Sequence, residues 1–396
     1  MIYRLDPALA GELAKFGGES AAKCFNCGNC TAVCSLSQGD TVFPRKVIRH
    51  VQLGLAKRLE ESPEPWLCYY CGGCSETCPR EAKPGELMMA VRRWLTSRYD
   101  WTGISRKLYI SERWEVAIIG IVALLVLGLF LVPGMLGFPF GFQAVKGPAL
   151  EHVRLDLFAP KEVVHYADWV LAFILALLLA LNAMRMVRFV MRGEAGGSPP
   201  LRIWLGKLSE LLLHFVTQRR WLDCDNDTRK VWLQHFLLVS GYMTILLLVM
   251  LFLPWFQRDG AEFHFSALFG YYATATLLWA TVLAMRGRLR KEEQLHKYSH
   301  ATDWMFLILL FLTALTGILL HLFRLLDLPW PTYVMYVVHL MIAVPMLVIE
   351  VPFGKWAHLA YRPLAQYLVA VREAAHAEQE NKEKGENLFL ATDKGR

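Results

Sequence analysis

Charge is scarce in this sequence. Asp, Glu, Lys and Arg make up 19% of its 396 residues, against 55% hydrophobic residues and a mean hydropathy of +0.32. That is too apolar for an ordinary soluble protein, and the excess falls in the later part of the chain. A secretory leader is missing too: Met1 to Gly18 has no apolar core of the required length, which argues against an exported, disulfide-stapled domain. No GxGxxG follows a strand, so no flavin or nicotinamide site is expected within the chain. The net charge of +7 comes without any nucleic-acid motif, so no nucleic-acid partner is expected. In a chain with membrane spans, basic residues mark cytoplasmic loops instead.

Cysteine is sparse but concentrated. Eight of the nine cysteines form two copies of CxxCxxCxxxC, namely Cys24, Cys27, Cys30 and Cys34, then Cys68, Cys71, Cys74 and Cys78, with Pro79 directly after. Structural zinc needs four ligands and gives no reason for the third and fourth cysteines at fixed offsets, twice over. Two intervening residues let three sulfurs converge on one [4Fe-4S] cube, and in the two-cluster ferredoxin pattern the fourth sulfur comes from the other motif. The spacing therefore predicts Cys24, Cys27, Cys30 and Cys78 on one cluster and Cys68, Cys71, Cys74 and Cys34 on the other. Cys224 is left as an ordinary thiol.

Taken in order, residues 1–22 read as a short helix with Leu9, Leu13 and Phe16 on one side. A second helix is expected over Pro44–Leu59, with Val47, Val51 and Leu55 on one face. A third, Glu86–Tyr99, has Leu87, Ala90 and Trp94 inward and Arg92, Arg93 and Arg98 toward an anionic membrane surface. Six spans follow at about 114–138, 165–190, 232–256, 266–285, 302–323 and 332–351. Basic residues crowd 188–230 and 286–297, while the loops after the third and fifth spans offer only Arg258 and Arg324. The positive-inside rule then puts both termini, and the cysteine motifs, in the cytoplasm, on a multi-pass protein of the inner membrane and its lipid bilayer. Gly193–Pro200 reads as a linker, Leu201–Phe215 as an amphipathic surface helix, and the tail after Ala374 as polar and disordered.

Of twelve histidines, four sit where a transmembrane pair of bis-histidine haems b needs them. His235 enters the third span and His358 follows the sixth on the cytoplasmic side, whereas His321 closes the fifth and His339 opens the sixth on the other. His339 and His358 are separated by 19 positions, about 28 Å of ideal helix and close to a bilayer core. His300 and His165 are the reserve candidates. The expected fold is mainly α: a small α-helical two-cluster ferredoxin-like domain over 1–105, a six-helix transmembrane cytochrome b bundle over 106–373, and a polar tail over 374–396.

The block CFNCGNCTAVCSLS, with FPRKVIRHVQLG and WLCYYCGGCSETCPRE, resembles the iron-sulfur C subunit of heterodisulfide reductases. WLQHFLLVSGYMT, TDWMFLILLFLTALTGILLH and PFGKWAHLAYRPLAQY are similar to the cytochrome b subunit of those enzymes and to the gamma subunit of respiratory nitrate reductase. With the halves in this order the chain resembles the QmoC family, the membrane subunits of quinone-interacting membrane-bound oxidoreductases (Qmo) in sulfate reducers and some sulfur oxidisers. The nitrate reductase gamma pattern places haem ligands at positions matching His339, His358 and His235. Its fourth position is Ile245 here, which leaves His321 as the substitute.

The resemblance implies electron transfer between the quinone pool, with menaquinone as the quinone, and flavin- and iron-sulfur-containing, heterodisulfide reductase A-like subunits. Adenylylsulfate (APS) reductase is then the eventual acceptor in sulfate reducers, and flow is reversed in sulfur oxidisers. Disulfide reduction would need another subunit, because the chain lacks the duplicated cysteine-rich domain. Arg324 and Asp327, or His300 and Asp303 on the inner side, are candidates for quinone protonation. A heterodisulfide, sulfite-reductase-linked or fumarate-type complex is the alternative. A redox sensor fits less well, since no output domain follows the sixth span.

Overall fold

The computed structural model describes residues 4–37, 42–135, 140–193, 199–218, 228–292 and 294–393, and every regular element among them is helical. The chain forms two compact units, one of Met1–Trp101, Leu181–Thr228 and His358–Arg396, the other of Thr102–Ala180 and Arg229–Ala357. Cys224 and part of the Gly193–Pro200 linker lie outside the described residues.

In the first unit the expected helical faces are the buried ones. Leu9, Leu13 and Phe16 are fully enclosed, as are Val47, Ile48, Leu87 and Ala90. The expected helix Pro44–Leu59, however, is two helices, Arg45–Gln52 and Ala56–Glu60. Between them Gly54 takes φ +69°, and a Cβ there would stand 2.3 Å from the carbonyl oxygen of Asp6, whose N–H donates to Gly54 O at 2.8 Å. Only glycine fits that approach, and the break takes Leu55 off the Val47–Val51 face.

On the charged side of the Pro84–Tyr99 helix the arginines reach hydrogen-bond acceptors of the same unit. Arg93 Nη1 donates to Phe16 O at 2.7 Å, Arg98 Nε to the buried Glu60 carboxylate at 2.7 Å, and Arg92 to two carbonyls of the second cysteine loop. These arginines serve buried acceptors, which need donors once removed from water.

The unit is completed by late segments of the chain. Tyr361, on the helix His358–Asp393, puts its ring 5.1 Å from Trp66 and 5.5 Å from Tyr99, and Leu368 and Val371 of the same helix are fully buried. That helix runs on past Ala374, where disorder was expected. Its Ala, Glu, Gln and Lys residues are good helix formers, and Glu378 pairs with Lys382 one turn on at 3.0 Å. The amphipathic segment divides at Lys207 into Leu201–Gly206 and Leu208–Thr217, with Leu201, Leu205, Leu212 and Val216 all more than half exposed.

Among the described residues six helices are long and apolar enough to cross a membrane: Glu112–Val132, Lys161–Val190, Arg229–Leu251, Ala267–Arg290, Ala301–Leu325 and Pro329–Glu350. In the second unit the fifth packs on the sixth, the sixth on the first and the fourth on the fifth. One core is aromatic: Phe158 stacks on Phe130 at 5.4 Å and on Tyr333 at 4.8 Å. Another gathers Tyr242, Leu277, Leu310, Ala314 and Met346. The third span stops at Leu251, five residues early, and Leu253–Phe256 forms a separate turn with a proline at its start.

Candidate functional site

Each cysteine motif opens with the same backbone excursion. Asn26 and Tyr70, two residues after the first cysteine of each motif, take φ of +61° and +60°, and Gly28 and Gly72 take φ of +96° and +86°. A helical turn then starts after each glycine, Asn29–Ala32 in one loop and Gly73–Glu76 in the other. This path curls the main chain around the thiols. Asn26 N–H points to Cys24 Sγ at 3.4 Å, Tyr70 N–H to Cys68 Sγ at 3.3 Å and Ala82 N–H to Cys78 Sγ at 3.4 Å.

The thiols intermingle between motifs. Cys30 lies within the electrostatic reach of Cys24, Cys27 and Cys78, and Cys74 within that of Cys68, Cys71, Cys34 and Cys30. Burial pushes the Cys30, Cys68 and Cys74 thiols up, and crowding by neighbouring thiols adds to it. All eight cysteines are free of disulfides, with Cys27 and Cys71 exposed and Cys30 and Cys68 buried. Among the described residues no three His, Cys, Asp or Glu side chains are grouped to hold a single ion. A cube spreads its thiolates wider than one ion does, and the free thiols with N–H groups turned to sulfur fit such a group.

The two loops are also braced at matching positions. Gln52 Nε2 donates to Cys24 O at 2.6 Å and to Ala21 O, three residues earlier, at 3.1 Å. In the second loop Arg92 Nη2 donates to Cys68 O and its Nε to Pro65 O, again three residues earlier, at 2.6 Å. The remaining Gln52 oxygen accepts from Asn26 Nδ2 at 2.9 Å. Arg362 lies over the Tyr69 ring, 4.7 Å from its centre. Burial and the neighbouring Arg362 push the Arg92 guanidinium down to about 9. Spacing could not reveal either brace, because each comes from a helix set apart from its loop.

Residues 20–82 match the 4Fe-4S dicluster domain. Over its N-terminal part the chain is 35% identical to a protein of Archaeoglobus profundus described as like the C subunit of heterodisulfide reductase, across 24% of this chain and 51% of that one. It is 31% identical to the C subunit of the H(2):CoB-CoM heterodisulfide,ferredoxin reductase of Methanothermobacter thermautotrophicus, across 22% and 48%. The iron-sulfur C subunit of the CoB--CoM heterodisulfide reductase of Methanopyrus kandleri is 36% identical across 18% and 38%. The chain thus spans about half the length of the first two of these relatives, or less for the third. No solved structure matches it. The N-terminal part therefore carries a 4Fe-4S dicluster domain and is similar to the C subunits of heterodisulfide reductases.

The histidines of the spans are placed less uniformly. His339 lies near the middle of the sixth span instead of at its start, because the helix begins at Pro329. Its Nδ1 is 2.9 Å from Thr316 Oγ1, and the ring packs on Gly317, where a Cβ would be 3.3 Å away. A histidine held through one ring nitrogen offers the other to a metal, which fits an axial haem ligand. His321 Nε2 is bonded to Tyr271 Oη at 2.9 Å, so binding iron through that nitrogen requires giving up the bond.

His235 is half-buried in the third span, and His358 opens the last helix after a turn at Val351–Gly354. The backbone from His339 to His358 is thus not one continuous helix. Of the reserves, His300 caps the fifth span, its Nδ1 accepting from Thr302 N–H in a capping box with Asp303. His165 accepts from Trp169 Nε1 at 3.2 Å.

The protonation candidates have structural partners. Arg324 donates to Gly260 O and Glu262 O. Asp327 accepts from Val153 N–H at 2.8 Å and lies 2.6 Å from His152 Nδ1, contacts that hold its carboxyl below the usual range. Asp303 pairs with Lys355 at 2.7 Å. Sequence reasoning passed over Glu115 and Glu350, both 2% exposed. Glu350 Oε2 accepts from Lys355 N–H at 2.7 Å, and the signal for it was an acidic residue ending an apolar run.

Proposed function

We propose that the chain is a membrane-bound electron-transfer subunit linking the quinone pool to a cytoplasmic redox partner. The intermingling of thiols from two matching loops, in a chain that also has six membrane-length helices, carries this reading. On it, Cys24, Cys27, Cys30 and Cys78 hold one [4Fe-4S] cluster, and Cys68, Cys71, Cys74 and Cys34 hold the second, within a cluster domain over 1–105. His235 with His358, and His321 with His339, hold two haems b in the spans. The clusters and haems supply one-electron transfer when bound.

The chain's own residues turn N–H groups to the sulfurs of Cys24, Cys68 and Cys78, and set His235, His321 and His339 in apolar helices. The basic stretches 188–230 and 286–297 support a cytoplasmic position for both termini and the cluster loops. Quinol, with menaquinol as the best match, exchanges electrons at the membrane. Flavin-bearing, heterodisulfide reductase A-like subunits exchange them in the cytoplasm, with APS reductase of dissimilatory sulfur metabolism as the further partner that the resemblance to QmoC implies.

The names of the relatives support a second reading, membership of a heterodisulfide-reducing complex. Haem and iron per chain, with optical spectra before and after a reduced quinol analogue, test the main one. Two haems b reduced by quinol plus about eight non-haem irons are expected. Iron without haem would remove the quinone link and leave the iron-sulfur module alone, and co-purification with a disulfide-reducing subunit would favour the second reading.

A further inference from the structure

The matching braces of the two cysteine loops differ in one respect, their charge. At the first loop a neutral amide, Gln52, holds the carbonyls of Cys24 and Ala21; at the second a guanidinium, Arg92, holds those of Cys68 and Pro65. We propose that this exchange of Gln52 for Arg92 makes the two clusters unequal, giving the cluster of the second loop the higher reduction potential. The proposal rests on the two-cluster reading above. Reduction adds one electron, and so one negative charge, to a cluster without making or breaking a bond to the protein. A cation held nearby stabilises the reduced form, and does so more strongly where water is excluded.

The surrounding charges agree with the direction. Arg362, 4.7 Å from the centre of the Tyr69 ring, adds a second cation at the second loop. Glu86, an anion near that loop, accepts a hydrogen bond from the Tyr70 hydroxyl. At the first loop the cations are Arg45, half-buried with Nη1 3.3 Å from the Cβ position of Gly28, and the exposed Lys23 and Arg80, the latter over the Phe25 ring. Water screens all three.

An anaerobic redox titration of the full-length protein in detergent, with dithionite as the one-electron reductant and electron paramagnetic resonance as the readout, tests this. Two couples are expected. In Arg92→Gln the higher one falls toward the lower by a tenfold change in electron partition or more, ~59 mV for a one-electron couple. Arg92→Lys, which keeps the charge, retains most of the gap. Gln52→Arg raises the lower couple and leaves the higher in place.

An unchanged gap in Arg92→Gln with both clusters retained overturns the proposal. If Arg92→Gln loses a cluster, Arg362→Gln decides: a narrowed gap supports the proposal and an unchanged one overturns it. Fewer than about eight non-haem irons in the parent protein would instead count against the two-cluster reading, which the titration of variants does not address.

Discussion

Glu64 shows how single residues hold the cluster unit together. Burial alone would raise its carboxyl, but Lys46 at 3.1 Å and the Ser62 hydroxyl outweigh that and hold it below the ordinary value of 4.5. A depressed carboxyl contributes stability that is fully present above its unfolded value and lost as the pH falls through the folded one. Lys46→Met is therefore expected to lower the urea midpoint at pH 7, by less than about 1 kcal/mol since Lys46 is half-exposed. The difference from the parent should close as the pH drops below 4.5. A difference that grows with acidity would contradict the assignment. Gly54 sits at the same scale: one glycine at φ +69° turns a single expected helix into two. A glycine in an otherwise helical pattern hints at a break, but the reason for it, the carbonyl of Asp6, is a contact from a distant part of the chain.

Elements were more legible than contacts. The apolar faces built on Leu9 and Leu13, on Val47 and Val51, and on Leu87 and Trp94 are buried as their periodicity requires, and each of the six expected spans has its helix. Helix ends were less so, because they answer to local partners: Pro329 starts the sixth span early and moves His339 to mid-helix. The cysteine spacing indicated two loops but not the Gln52 and Arg92 braces, nor the buried acceptors that Arg93 and Arg98 serve. Two substitutions probe this scale. Tyr361→Ala removes the ring between Trp66 and Tyr99 and is expected to cost about 3–5 kcal/mol, read as earlier loss of cluster absorbance in denaturant. His339→Ala and His358→Ala are each expected to remove one haem and leave both clusters, by optical haem content and iron analysis; unchanged haem in either variant would sink that ligand assignment.

At the scale of the whole molecule, the basic loops make a prediction that geometry alone does not. Reporter fusions after the last helix and within 286–297 are expected to report the cytoplasm, and one within the loop after the third span the opposite side. Reversal of either would overturn the orientation. The cluster unit is meanwhile assembled from three separate stretches, the last of which begins at His358. During synthesis its first hundred residues leave the ribosome long before Tyr361, Leu368 and Val371 exist to close their core. On the proposed membrane reading, the nascent N-terminal segment stays incomplete until all six long apolar helices have been made, so its core closes only at the end of synthesis.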